Sequence, residues 1–218
     1  RGNVINPDDI VRDYGADTLR LYEMFMGDFQ SAAPWSMNSV RGCKRFLDRV
    51  WRLQNCVVDG DAYRPELESS FHKTIRKVSE DIESLKFNTA IAAMMSLLNE
   101  IEAVGSINKK EYRDLLVMLN PFAPHITEEL FEEMGFGSPI TSQSWVTYDP
   151  EKCVDATVEI AVQLSGKVRA RIQVPADIEA ADAIALAKAD PKIASAIEGK
   201  TIVKEIYVKG KLVNIVAK

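Results

Sequence analysis

The sequence predicts a mainly α-helical bundle followed by a small α+β domain of ββααββ order. Three observations predict it. Apolar residues recur at steps of four and three from Leu67 to Leu85, the period of a helix with one buried side. From Gly137 to Asp155 the composition turns to Pro, Ser and Thr, as in a connecting loop. Beyond Val158 the pattern becomes the strict alternation of strands joined by tight turns.

The first residues form a loop feeding two helices. Asn6 is a capping residue, Pro7 suits the first helical position, and Asp8 and Asp9 sit where the helix dipole favours negative charge. Gly15 ends this helix and Asp17 starts the next. That second helix is expected to run to Met26, with Leu19, Tyr22 and Phe25 or Met26 on one side, and to stop at Gly27. After a loop containing Pro34, Ser36 opens a helix of about five turns, to about Asn55. Its apolar side carries Val40, Cys43, Leu47, Val50 and Trp51.

Residues 57–63 read as a turn-rich linker, and a long helix then starts near Pro65 with Leu67, Phe71, Ile75, Val78, Ile82 and Leu85 facing inward. A break is expected at Phe87-Asn88-Thr89. The next helix carries Ile91, Met94, Met95, Leu98 and Ile101, with small residues for close approach. Gly105 and Asn108 separate it from a helix over 109–119, and a last short helix around Ile126, Leu130 and Phe131 ends at Gly135. In the tail, residues 158–164 and 168–174 alternate around Ser165-Gly166, residues 180–198 read as one broken or two short helices split near Pro191, and a second strand pair surrounds Lys209-Gly210. The domains expected are therefore 1–27, a bundle over 28–136, a linker over 137–155 and the α+β tail over 156–218.

Composition excludes several classes. No apolar run approaches the roughly 20 residues that span a bilayer. Cys43, Cys56 and Cys153 are odd in number and scattered, which argues against a disulfide framework or zinc site and suits a reducing cytosol. The net charge of −5 is unevenly spread. Residues 156–218 hold ten Lys+Arg against seven Asp+Glu, while residues 1–155 hold 17 against 25. A basic tail on an acidic body points to a polyanion partner for the tail.

Two features carry candidate chemistry. On a helical wheel Arg41, Arg45, Arg49 and Arg52 gather within roughly 80° of one another, with Lys44 at the edge. Either they are a solvated face or they contact phosphates, which the guanidinium fork suits. In the first hairpin Lys167, Arg169 and Arg171 alternate and are expected to share one sheet face, with Val168, Ala170 and Ile172 turned to the core. Lys209 and Lys211 add charge on the second hairpin. Glu128, Glu129, Glu132 and Glu133 are most simply the wet side of a short helix, and His72 and His125 read as packing or capping residues. Neither a catalytic constellation nor a metal site is visible.

Several motifs resemble class I aminoacyl-tRNA synthetases. Arg1-Gly2-Asn3-Val4, the run Tyr14 to Arg20 and the stretch Arg45 to Leu53 are similar to the leucine, isoleucine and valine group. Phe87 to Ile91 and Ala123 to Leu130 resemble that group's helical anticodon-binding domain. Val162 to Arg169 and Ile206 to Val216 look like the C-terminal domain of bacterial-type leucyl-tRNA synthetases. Together they cover nearly the whole chain. Ser165 stands where many relatives have Asn, and Lys209 where Pro is common. Both departures concern turn geometry.

The resemblance implies a division of labour. Residues 1–27 would be a stem-contact segment joining the bundle to a catalytic domain outside this chain. Arg1, Gly2 and Asn3 would neighbour the ATP-closing loop, whose Lys-Met-Ser-Lys-Ser motif would lie just upstream. The bundle would lie along a leucine tRNA, and the tail would dock at its elbow through a flexible tether, with Arg41, Lys44, Arg45, Arg49, Arg52, Lys167, Arg169, Arg171, Lys209 and Lys211 as RNA-contact candidates. The longer enzyme would use ATP and Mg to join leucine to its tRNA. This stretch would need no cofactor, would be inactive alone, and would belong to a cytoplasmic monomer. The alternatives are the same region of an isoleucyl or valyl enzyme, or a non-catalytic RNA-binding or adaptor module.

Overall fold

The computed structural model describes residues 4–27, 34–137, 139–153, 157–176 and 178–217. The chain divides into two compact units, Arg1–Cys153 and Val154–Lys218.

In the first unit, α1 (Pro7–Tyr14) is capped by Asn6, whose side chain accepts from the Asp8 amide at 3.1 Å. Gly15, at φ 91°, lets the chain turn directly into α2 (Ala16–Phe25). The buried side of α2 holds Asp17, Thr18, Leu21 and Tyr22, whereas Leu19 and Phe25 are only partly covered. The buried face is therefore turned away from Leu19 and toward Asp17 and Thr18, and the residue common to both faces is Tyr22. Its hydroxyl accepts from the Ser36 amide at 2.8 Å, and its ring meets Trp35 edge-on. Helix α3 (Met37–Arg52), capped by Ser36, buries Val40, Cys43, Phe46, Leu47 and Val50. That face is centred on Cys43, which leaves Trp51 at its margin in the last turn. Trp51 is 37% exposed, not core.

A 3₁₀ turn (Leu53–Cys56) leads into β1 (Val57–Val58), which pairs in parallel with β2 (Ile107–Asn108). Helices α4 (Pro65–Glu83) and α5 (Phe87–Val104) form the central pair. Their junction falls at Ser84–Lys86, earlier than the expected Phe87-Asn88-Thr89, and Phe87 is already helical. Asp81 directs this: its carbonyl accepts from the Lys86 amide at 2.7 Å, and its carboxylate binds Thr89 Oγ1 and Lys77 Nζ. Leu85 makes the reversal at φ 56° and is 62% exposed, so it ends outside the core.

Helix α6 (Lys109–Leu119) starts with a reciprocal cap between Asn108 and Glu111. The buried Glu111 carboxylate also binds the Arg64 guanidinium, fastening the 59–64 loop to this helix start. Helix α7 (Pro124–Glu133) closes the bundle. Residues 139–153 are not a free loop. Ile140, Val146 and Cys153 are buried, and polar contacts fix the stretch to α4.

The second unit follows the ββααββ order: β3 (Thr157–Leu164), β4 (Lys167–Pro175), α8 (Ala180–Ala189), α9 (Pro191–Ile197), β5 (Ile202–Val208) and β6 (Leu212–Ala217). Its sheet order is β4-β3-β6-β5, with the central strands β3 and β6 parallel. Ile160, Val162, Ala170, Val174, Val213 and Ile215 form the core with Ala183, Ala187 and Ile193 of the helices. Ser165 and Gly166 both have positive φ, 50° and 83°, which makes a type I′ turn despite the serine.

Candidate nucleic-acid interface

The arginine stripe of α3 is real but not uniform. On a wheel Arg49 lies about 60° nearer the buried face than Arg52, and it is drawn to α5. Its guanidinium binds both Glu102 oxygens, at 2.9 and 2.7 Å, and Asn99 Oδ1 at 2.6 Å. The pairing raises Arg49 and holds the Glu102 carboxyl below its usual range through the hydrogen bond. Lys44 pairs with Asp48 one turn on. Arg41, Arg45 and Arg52 are exposed and make no ion pair among the described residues; Arg41 touches only the Asn38 side chain, at 3.3 Å. The stripe thus supplies three guanidinium groups with no ion pair among the described residues, Arg52 acting on Glu102 only at longer range, together with one local ion pair and one brace between helices.

Lys44 also lines a cavity of about 240 Å³ with Tyr14, Gly15, Leu47 and His125. Its wall is organised by Asp17, which lies in the first turn of α2 rather than starting it, the N-cap being Gly15, and which proves to cap a different helix. Ala123 offers α7 no side-chain cap. Instead the Asp17 carboxylate accepts from the amides of His125 (3.3 Å) and Ile126 (2.7 Å), and lies 2.8 Å from His125 Nδ1. Arg20 adds a hydrogen bond to the Pro121 carbonyl at 3.0 Å. No local pattern signals this, because the partners are more than a hundred residues apart.

In the second unit the register corrects the face assigned to the basic hairpin. A bulge faces the Val162–Gln163 step: Val162 pairs with Ala170, Gln163 with Val168 and Leu164 with Lys167, leaving Arg169 as the additional residue. Val168 therefore shares the outer face with Gln163 and is 53% exposed, where strict alternation placed it in the core. The same shift puts Lys167, opposite Leu164, and Arg171, opposite Ala161, on different faces. Arg171 also pairs with Glu159 at 2.8 Å. Because β3 and β6 run in parallel, the two hairpin turns lie at opposite ends of the sheet. Lys209 and Lys211 flank the β5–β6 turn near the level of Arg171, roughly 10 Å along the strands from Lys167. The five charges are two groups rather than one surface.

No activated nucleophile is evident among the described residues. Burial pushes the Cys43 thiol up to about 11 and raises the Tyr63 and Tyr112 hydroxyls. No group of three or more metal-ligating side chains forms there either. Glu128 accepts from the Ile140 amide at 3.2 Å, a structural role. Arg1, Gly2 and Asn3 lie outside the described residues.

The family model for the anticodon-binding domain of tRNA ligases matches residues 65–185, more than half of the chain. The chain belongs to that family. Its match takes in α4 to α7 and continues through β3 and β4 into α8. The chain is also 52% identical, over all 218 residues, to the Leucine–tRNA ligase of Alkaliphilus oremlandii (strain OhILAs), of which it covers the C-terminal 27%. It thus spans about a quarter of that relative's length. Among solved structures it is similar to the agnB2 LeuRS of Agrobacterium radiobacter K84, crystallised in a ternary complex with tRNA and LeuAMS. That similarity has a TM-score of 0.77 at 26% identity, covering the whole chain and 31% of the other. Helix α3, with its basic stripe, precedes the matched residues.

Proposed function

We propose that this chain is the tRNA-holding C-terminal part of a leucine–tRNA ligase, whose catalytic and editing machinery lies elsewhere in the longer protein. The carrying observation is the outer face of α3, where Arg41, Arg45 and Arg52 stand exposed with no ion pair among the described residues, Arg52 sensing Glu102 only at longer range, while Arg49 is consumed by Glu102. Guanidinium forks at helical spacing fit a line of phosphates, and such contacts position an RNA rather than read its sequence. Lys44 flanks this grip.

Residues 1–27 would be the stem-contact segment, with Arg1, Gly2 and Asn3 beside the ATP-closing loop. In the second unit Lys167 and Arg169 form one contact group, and Arg171, Lys209 and Lys211 another, at the tRNA elbow. The longer enzyme would use ATP and Mg to form leucyl-adenylate and transfer leucine to its tRNA as a cytoplasmic monomer. The leucine assignment, rather than isoleucine or valine, rests on the whole-chain identity to the Alkaliphilus ligase.

The test is binding of the chain to leucine and valine tRNA transcripts between 50 and 200 mM salt. If the three free arginines each neutralise one phosphate, they contribute a log–log salt slope of about −2 to −3, and affinity falls roughly 20- to 60-fold over that range. Replacing Arg41, Arg45 and Arg52 by Ala should remove most of that slope. Absence of binding at 50 mM salt would refute the reading.

A further inference from the structure

After α7 the chain returns along α4, and residues 139–153 are clipped to that helix at three successive points. Trp145 Nε1 donates to Ser79 Oγ at 2.8 Å. The Asp149 amide donates to His72 Nδ1 at 3.0 Å. Lys152 Nζ pairs with Glu68 Oε1 at 2.7 Å. Ser79, His72 and Glu68 descend α4 by seven and then four residues, so the strap follows one side of the helix. The last turn, Pro150–Cys153, leads directly into the second unit.

The middle clip has a chemical requirement the others lack. An imidazole nitrogen that accepts from a backbone N–H carries no proton itself, so the bond assigns the proton of the neutral ring to Nε2. Protonation at Nδ1 would set two N–H groups against each other. We propose that residues 149–153 are a proton-released strap, in which charging His72 withdraws the acceptor of the Asp149 amide and lengthens the chain leading into the second unit.

Every charged group facing the ring bears on the balance. Glu68 on α4 and Asp149 on the strap favour the imidazolium, while Lys152 on the strap and Lys110 of α6 oppose it. The Tyr63 ring meets the imidazole edge-on at 5.1 Å. Burial is the largest influence and holds the imidazole below its ordinary value, about 6.5. The closed strap therefore refuses a proton that the open strap accepts. It is favoured above about pH 6.5 and is lost as pH falls, by up to tenfold in the opening constant per pH unit. Opening must also part the partly exposed Lys152–Glu68 pair and uncover Cys153; it then frees five residues, an extended reach of roughly 17 Å. None of this depends on the RNA reading.

The test is hydrogen exchange of the Asp149, Glu151, Lys152 and Cys153 amides in the whole chain between pH 7.5 and 5, corrected for intrinsic rates. It is paired with labelling of the buried Cys153 by a dithiodipyridine, normalised to the exposed Cys56. Wild type should open progressively as pH falls below about 6.5, by at most tenfold per unit. His72→Asn retains an acceptor near the Nδ1 position without titrating and should stay closed and flat. His72→Phe, which keeps a ring but has no acceptor, should be open and flat. A wild-type profile flat over this range, or a His72→Asn profile that follows wild type, would overturn the proposal.

Discussion

Replacing Asp17 tests whether a residue of α2 holds the start of α7. Asp17 is 8% exposed, and its carboxylate receives two backbone amides and the His125 ring. Loss of a helix cap costs about 0.5–2 kcal/mol, and a hydrogen bond to a charged group is worth about 1.5–3 kcal/mol. The Ile126 contact at 2.7 Å carries most of this, since the His125 amide is at 3.3 Å. The His125 side chain is 74% exposed, so solvent reduces its share to about 0.5 kcal/mol or less. Asp17→Ala should therefore cost about 2–3 kcal/mol, Asp17→Asn about 1–2, and His125→Ala under about 0.5. For a unit of this size the alanine variant should lower Tm by roughly 5–10 °C. Trp35, Trp51 and Trp145 all lie in the first unit, so urea unfolding followed by tryptophan fluorescence reports that unit alone. A cost below about 0.5 kcal/mol for Asp17→Ala, or an equal cost for His125→Ala, would show that Asp17 is not the cap.

The α3 stripe should separate by substitution. Arg49→Ala should destabilise the bundle by up to about 1 kcal/mol and leave the RNA salt slope nearly unchanged. Arg45→Ala should do the reverse, flattening the slope by nearly one with stability within about 0.5 kcal/mol; equal effects on both readouts would merge the two roles. Leu85→Gly should raise the urea midpoint by the equivalent of about 0.5–1 kcal/mol, because an exposed leucine at positive φ carries strain that its side chain does not offset. A lowered midpoint would mean that Leu85 makes a contact worth more than its strain. At pH 7.5 a maleimide should modify Cys56 readily and leave Cys43 untouched until the bundle unfolds, since burial keeps Cys43 in the thiol form below about 11. Mass spectrometry of the labelled peptides decides it.

The helices and strands were legible because each buries one face, and burial leaves a period in the sequence. Val40, Cys43, Leu47 and Val50, or Ile160 and Val162, read correctly for that reason. The misplaced residues sit where the period ends or skips. Trp51 lies in the final turn of α3, Leu85 in a left-handed reversal, and Val168 beside an additional residue in β4. A single inserted residue in a strand changes the side of every residue on one side of it. Alternation alone therefore assigned Lys167 and Arg171 to one face, and the bulge places them on two.

The site was legible to the same depth and no further. A helical wheel shows which arginines share a side, but it contains no information about what approaches that side. Glu102 is 53 residues from Arg49, and its approach turns one member of an apparently equivalent set into a brace. Asp17 and His72 repeat the point: the first reads locally as a helix start and the second as a packing histidine, yet each fastens a distant segment of the same unit. This distinction matters for function. A cation already bound to a carboxylate must lose that partner before it meets a phosphate, so the residues that hold RNA are best sought among those the fold leaves unpaired. On α3 the proposed grip then falls to Arg41, Arg45 and Arg52, which make no ion pair among the described residues. The same reasoning ranks Lys167 and Arg169 ahead of Arg171, which Glu159 already engages.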